Sequence, residues 1–168
     1  AVYYSKNNCM IVKASKKLVL GCKNSVIPTE VKSIDDCAFY GCSGLTSITI
    51  PDSVTSIGGY TFYNCSSLVS VTIPDSVTGI WERAFFNCDS LTTVTIPDSV
   101  QSIGERVFYN CDKLTSVKMP NKLSIIHAQT FYDCSSLTNI TIPNSVRIVG
   151  EEAFYGCNNL ALVRYTGT

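Results

Sequence analysis

The sequence has one histidine, one tryptophan and no excess of either charge. With 13 basic and 13 acidic residues, the chain has no net field that would attract nucleic acid or an anionic membrane surface. No apolar run approaches the ~20 residues that a membrane-spanning helix needs, and no signal peptide is visible. We therefore expect neither nucleic-acid binding nor membrane insertion.

Motifs for catalysis and metal binding are scarce as well. A catalytic histidine needs a nucleophile and an orienting acid within reach, but the chain has no G-x-S-x-G motif to accompany His127 and no phosphate-binding loop. Metal sites commonly use local pairs such as C-x₂-C, whereas Cys37 and Cys42 are separated by four residues. We expect no enzymatic activity, no metal and no cofactor.

Repetition is the dominant feature of the chain. Each of the six prolines lies 23 residues from the next, and one cysteine and one phenylalanine per repeat keep the same step. A fixed period of this length means that each repeat is one structural unit stacked on its neighbours. The three columns comprise Pro28, Pro51, Pro74, Pro97, Pro120 and Pro143; Cys42, Cys65, Cys88, Cys111, Cys134 and Cys157; and Phe39, Phe62, Phe85, Phe108, Phe131 and Phe154.

Each repeat begins with a segment that alternates apolar and polar residues. In residues 68–74 this alternation predicts a strand whose apolar side chains face inward while Ser70 and Thr72 face outward. Pro74 ends the strand because it has no N–H group for the sheet. Later in the repeat, as in residues 151–156, there is room for a single turn of helix or 3₁₀-helix.

The repeat Ile-Pro-x-Ser-Val-x-x-Ile-Gly-x-x-Ala-Phe-x-x-Cys-x-x-Leu resembles the BspA-like (Treponema-type) class of leucine-rich repeats, over residues 27–165. The resemblance implies a right-handed solenoid of α/β repeats, mostly β, with a parallel β-sheet on the concave face and short strands or 3₁₀ turns on the return path. We expect an N-terminal β-hairpin cap in residues 1–27 and six repeats in residues 28–168, with an incomplete C-terminal cap. Proteins of this class are typically extracellular or on the cell surface, which implies adhesion to a host or extracellular-matrix protein, or to a glycan.

Two groups of cysteines need separate interpretations. Cys9 and Cys22 face each other in the predicted hairpin, where they would form either a disulfide in an oxidising compartment or two free thiols. The column from Cys42 to Cys157 is predicted to be a ladder of buried, small apolar thiols. Its side chains would point in parallel directions, which suits disulfide geometry poorly.

The outward strand face is the main candidate for binding. The candidate residues are Ser70, Thr72, Thr93, Thr95, Ser116, Lys118, Asn139, Thr141 and Arg164. Trp81 is a further candidate in a column that holds glycine in other repeats, such as Gly58 and Gly104. It either anchors a partner or packs over those neighbouring glycines.

Our leading hypothesis is a non-enzymatic binding module that engages a protein or glycan through the concave sheet face. A purely structural or engineered repeat scaffold is the alternative, favoured by the uniformity of the repeats. An ice-binding face is a third hypothesis, because Ser/Thr-x-Thr recurs at steps of about 4.8 Å until Lys118 interrupts it. Open end coils also predict self-association through the C-terminal end.

Overall fold

The computed structural model describes residues 2–166, and it shows a β-solenoid of about six turns. Each 23-residue repeat forms one coil that lies directly over the preceding coil. The paired strands join equivalent residues, such as Ser47 with Ser70 and Val94 with Val117. The predicted leucine-rich-repeat solenoid is confirmed.

Two columns of strands run along the solenoid. The front strands are β5 (Ser47–Thr49), β7 (Ser70–Thr72), β9 (Thr93–Thr95), β11 (Ser116–Lys118), β13 (Asn139–Ile142) and β15 (Leu162–Tyr165). The return strands are β4 (Ser33–Ile34), β6 (Ser56–Ile57), β8 (Gly79–Ile80), β10 (Ser102–Ile103), β12 (Ile125–Ile126) and β14 (Ile148–Val149). The front strands place the hydroxyl-rich face outward, and the return strands close the opposite side of the core.

The return strands, rather than the front strands, form the most extensive sheet. In order, it contains β1 (Tyr3–Lys6), β2 (Cys9–Val12), β3 (Lys17–Leu20), β4, β6, β8 and β10, and β12 pairs separately with β14. The front strands form the parallel pairs β5–β7, β9–β11 and β13–β15. Strands β7 and β9, and likewise β11 and β13, lie side by side without forming a sheet pair. The expected front sheet is therefore divided into three parallel pairs.

An antiparallel hairpin covers the first coil. Strand β2 (Cys9–Val12) pairs with β3 (Lys17–Leu20), and β1 (Tyr3–Lys6), which the sequence did not indicate, adds to the outer edge of β2. Cys9, Ile11 and Leu18 face the core and are buried. Because β3 pairs in parallel with β4, the hairpin continues the return sheet and shields the apolar residues of the first coil.

The short helical turn expected in each coil is absent, and residues 2–166 contain no helix. Consecutive turns occupy this segment instead, with left-handed residues at Tyr60 (φ 54°) and Asn64 (φ 56°) and at equivalent positions in the other coils. The physical reason lies in the backbone hydrogen bonds. The N–H groups of Tyr60, Phe62 and Asn64 donate to carbonyls of the next coil at 2.8–2.9 Å, whereas a helix would direct them to its own residues.

A column of stacked phenylalanines fills the core between the turns and the strands. The ring centroids of Phe62 and Phe85 lie 5.2 Å apart, and those of Phe85 and Phe108 lie 5.5 Å apart. All three rings are fully buried. Burial of one such side chain stabilises the fold by roughly 1.5–3 kcal/mol, and offset stacking adds to that.

At the C-terminal end, apolar side chains of the last coil are exposed. Val149, Leu162, Val163 and Tyr165 retain between 44% and 54% of their accessible surface, because no further coil covers them within residues 2–166. The equivalent residues of earlier coils, Ile80 and Ile103, are buried. Residues 167–168, the last two of the predicted repeat region, lie outside the described part of the chain. Self-association through this end stays a prediction.

We expect Phe85→Ala to lower the free energy of unfolding by about 3–5 kcal/mol, because it removes one ring from the middle of the buried column. Urea denaturation followed by circular dichroism measures this loss. Phe85→Leu, which keeps most of the volume, should cost much less. Phe86→Ala, in the half-buried column beside it, is the matched control, and an equal or larger loss there would contradict the assigned role of Phe85.

Candidate binding surface

The front face is built by the two-residue alternation of the strands. In β7, Val71 enters the core while Ser70 and Thr72 are exposed, and the same pattern recurs in β9. Ser116 is half-buried, whereas the other candidates on this face are exposed: Ser70, Thr72, Thr93, Thr95, Lys118, Asn139, Thr141 and Arg164. The structure thus places all nine predicted front residues on one surface.

A shallow groove follows the edge of the front face, where each strand ends at Ile-Pro or Met-Pro. We call the residues 51–53, 74–76, 97–99 and 120–122 the proline ledge. Depressions of about 520, 560 and 410 Å³ succeed each other along the ledge. Thr49 and Thr72 line the first, Thr95 and Lys118 the second, and Lys118 and Thr141 the third. Sequence reasoning missed this groove, although the proline column marked its position.

The charge along the ledge changes sign between its two ends. Asp52, Asp75 and Asp98 are exposed in successive coils, and the two carboxylate oxygens of Asp98 accept hydrogen bonds from the main-chain N–H and the side-chain amide of Asn121. Lys118 and Lys122 line the same depression as Asp75 and Asp98, and in the described part of the chain Lys118 forms no ion pair. Its ammonium group is therefore free to contact a partner.

The cysteine column inside the coils has a structural role. The thiol of Cys88 donates to the carbonyl oxygen of Phe62 at 3.2 Å, and that of Cys111 donates to Phe85 at the same distance. Burial raises the pKa of Cys65 to about 12 and raises the pKa of Cys88 well above the usual 9.0. Because the thiolate is the reactive form, these buried thiols are poor nucleophiles and metal ligands. Cys42 and Cys157, at the two ends of the column, are half-buried.

In the N-terminal cap, Cys9 lies in β2 opposite Lys6 and Cys22 lies beyond the end of β3, so the register does not place the two directly opposite each other as predicted. Both carry free thiols, with Cys9 buried and Cys22 exposed. The sulfur of Cys9 lies 3.7 Å from the carbonyl oxygen of Val26, and that of Cys22 lies 3.8 Å from the hydroxyl oxygen of Ser25. Burial, and secondarily the nearby Cys22, raises the pKa of Cys9. The predicted disulfide stays a proposal.

The remaining candidate side chains do not converge. His127 is half-buried, and its carbonyl oxygen accepts a hydrogen bond from the hydroxyl of Thr130 at 2.7 Å. Among residues 2–166, no three histidine, cysteine or acidic side chains are grouped in a way that could hold a metal ion. Trp81 lies away from the front face, at the end of return strand β8, and 55% of its surface is exposed.

The glycine column explains the surroundings of Trp81. A Cβ atom on Gly58 would lie 2.6 Å from the backbone of Asp35 and Asp36, and one on Gly104 would lie 2.5 Å from the main-chain nitrogen of Glu82. Gly58 therefore permits close approach of the preceding coil, Gly104 permits close approach of the coil that carries Trp81, and neither provides a side chain to cover the indole. The exposed fraction of the Trp81 side chain is visible only in the tertiary structure.

A model of the BspA type leucine rich repeat region, in six copies, matches residues 19–88 and 57–168. The chain belongs to this family. In comparisons of three-dimensional structure, it is similar to the leucine rich repeat protein of T. pallidum, with 30% identity and a TM-score of 0.82 over 96% of this chain and 78% of that one. No curated protein sequence matches the chain.

Two further solved structures are similar to this member of the BspA-type family. A leucine rich cell surface protein from Faecalibacterium prausnitzii is 29% identical, with a TM-score of 0.71 over 99% of this chain. A leucine-rich repeat protein from Bacteroides ovatus is 28% identical, with a TM-score of 0.66 over 96% of this chain. The chain spans 55% and 50% of these two proteins. In residues 2–166 no helix is long and apolar enough to cross a membrane.

Thiol labelling should separate the cysteines by burial. In the native protein, we expect Cys22 and Cys37, which are exposed, to react rapidly with a thiol-specific disulfide reagent at pH 8. Cys88, Cys111 and Cys134 should react only after unfolding, because they are buried and protonated. Peptide mapping after timed labelling measures the order, and rapid native labelling of Cys111 would contradict the buried ladder.

The proposed Cys9–Cys22 disulfide has a direct test. After incubation with oxidised glutathione, two thiols would lose two protons and two electrons to the glutathione disulfide, which is released as two reduced molecules. Mass spectrometry of the unreduced protein should then show the Cys9 and Cys22 peptides linked. Cys37→Ser is the control and should leave the link intact. If Cys22 is instead joined to Cys37 of a second molecule, the proposal is wrong.

Proposed function

We propose that the chain is a non-enzymatic binding module of a cell-surface or secreted protein, and that its front face and proline ledge engage a partner protein. The observation that carries the proposal is the row of outward polar side chains on front strands β5 to β13, all exposed except the half-buried Ser116, which a packed core holds in place. Similarity to a leucine rich cell surface protein supports the proposed location.

The mechanism is shape complementarity with many distributed hydrogen bonds. Because the coils are already ordered, the front face loses little conformational freedom on binding, and that lowers the entropic cost of association. Short hydroxyl side chains such as Thr72 and Thr95 also lose little rotamer freedom. They supply hydrogen-bond donors and acceptors to a partner laid across several coils.

Specificity is concentrated in the C-terminal half of the front face. Lys118, Asn139 and Arg164 replace the small hydroxyl residues of the earlier coils and are all exposed. Arginine is enriched among the residues that dominate binding energy, and asparagine and lysine offer longer-range hydrogen bonds and charge. We place the main partner contacts here, on a host or extracellular-matrix protein or on its glycans.

A structural scaffold without a ligand of its own is the second candidate. The front face of the first coils favours this candidate, because it carries only small hydroxyl side chains and no aromatic or arginine side chain. These residues are Ser47, Thr49, Ser70 and Thr72. In that case the coils would serve as a spacer that positions other parts of a longer protein.

The test is binding of the chain to a panel of immobilised extracellular-matrix proteins, measured by surface plasmon resonance. We expect the triple variant Lys118→Ala, Asn139→Ala and Arg164→Ala to weaken any detected binding at least about 10-fold, or about 1.4 kcal/mol. Circular dichroism checks that the variant remains folded.

A matched control lies on the return side. Lys32→Ala, Gln101→Ala and Arg147→Ala remove one lysine, one amide and one arginine, all exposed, from a different face. This control should bind like the unmodified chain. If the control loses affinity while the front variant keeps it, the front-face proposal is wrong. If the chain binds none of the proteins tested, the scaffold is favoured.

A further inference from the structure

A second polar pocket lies on the other side of the coils from the front face. It has a volume of about 410 Å³ and is lined by Asp36, Gly59, Tyr60, Trp81 and Glu82. None of these residues belongs to a front strand or to the proline ledge. The pocket is thus a separate surface, and its chemistry is independent of whether the front face binds a partner.

The Trp81 side chain is exposed in this pocket and is not packed against the neighbouring coils. Its main-chain N–H donates to the carbonyl oxygen of Ile57 at 3.1 Å, which fixes its backbone in the stack of coils. The neighbouring positions in its column are Gly58 and Gly104, so no side chain from the adjacent coils of that column covers the indole. An exposed tryptophan on a fixed backbone is the kind of residue that anchors a partner at low entropic cost.

Carboxylates surround the indole. Glu82 is adjacent in sequence, Asp36 lines the same pocket, and Glu105 occupies the position of Glu82 in the next coil and is exposed. One oxygen of Asp36 accepts a hydrogen bond from the N–H of Gly59 at 2.7 Å, which orients the carboxylate. The side chain of Glu82 retains 54% of its accessible surface.

The cation next to Glu82 in the chain, Arg83, is already engaged. The guanidinium of Arg83 lies over the ring of Tyr60, 5.3 Å from its centroid, and also bonds the Tyr60 hydroxyl. Its distance to the carboxylate of Glu82 is 3.9 Å, too long for a hydrogen bond. The pocket is thus lined by two carboxylates, those of Asp36 and Glu82, and the guanidinium next to them is occupied by a ring, which leaves the lining of the pocket with a negative excess.

We propose that this pocket binds a cationic side chain, an arginine guanidinium or a lysine ammonium, presented by a partner protein. The cation would lie against the face of the Trp81 indole, where the ring quadrupole attracts positive charge. Glu82, adjacent to Trp81, would accept charge-assisted hydrogen bonds from its N–H groups, and Asp36, two coils away, would accept them from a second cation of the same partner. The contact between Arg83 and Tyr60 is an example of the same chemistry inside the chain.

The spacing of the coils specifies a suitable probe. Asp36 and Glu82 lie two repeats apart in sequence, so their backbones are about 9.6 Å apart at a coil step of about 4.8 Å. An extended peptide covers about 10 Å in three residues. The side chains at positions 1 and 4 of a fully extended peptide lie on opposite faces, so two flexible glycines are placed between them, and acetyl-Arg-Gly-Gly-Arg-amide can then direct both guanidinium groups to the two carboxylates. Replacement of both arginines by citrulline, which is neutral and of similar shape, provides the matched control peptide.

The test follows the fluorescence of Trp81, the only tryptophan of the chain, during titration with the two peptides. We expect the arginine peptide to give a saturable change and the citrulline peptide to bind about 3- to 10-fold more weakly or not at all. A lysine version of the peptide separates preference for guanidinium from preference for ammonium, and binding of either cation supports the proposal.

Variants locate the binding site by isothermal titration calorimetry, which needs no tryptophan. Trp81→Gly should abolish binding of the arginine peptide while leaving the fold intact, because glycine already occupies this column at Gly58, Gly104 and Gly150. Glu82→Gln should weaken binding about 3-fold or more. Lys118→Ala, on the front face, should leave it unchanged. Equal binding of the citrulline peptide, or full retention of binding by Trp81→Gly, would overturn the proposal.

Discussion

The structure depends on stacking each coil directly over the last, so that every residue meets its equivalent 23 positions away. Two kinds of contact maintain this register along the described chain. Backbone N–H groups of the turns donate to carbonyls of the next coil, and the phenylalanine rings lie 5.2–5.5 Å from their neighbours. A coil slipped by one residue would lose both, since polar side chains would enter the core.

Register also determines what each column of residues can contain. The cysteine column accepts a small side chain whose thiol reaches the carbonyl oxygen of phenylalanine in the coil before, as Cys88 reaches Phe62. The column that contains Gly104 holds glycine where the backbone of the adjacent coil lies too close to leave room for a Cβ atom. Exposed columns have no such restriction. Lys118 and Arg164 therefore vary where the core does not, and binding properties can change without disturbing the fold.

Much of this arrangement could be predicted from the chain alone. The period and the alternation in residues 68–74 identified the solenoid, the phenylalanine column and the outward Thr72, because both signals are local and repeated. The turn segment was expected to be helical, which is wrong, since its N–H groups bond to another coil rather than along the chain. The proline ledge was also missed as a groove, because a groove exists only after several coils are stacked.

The amino-acid sequence by itself determined which residues share a column and which face of a strand is apolar, since side-chain direction in a strand alternates with a period of two. Only the tertiary structure decided the left-handed turns, the division of the front strands into pairs, and the exposure of Trp81 between Gly58 and Gly104. These features depend on the distances between coils. Such distances are set by contacts between residues that lie about 23 positions apart in sequence, and no single segment contains them.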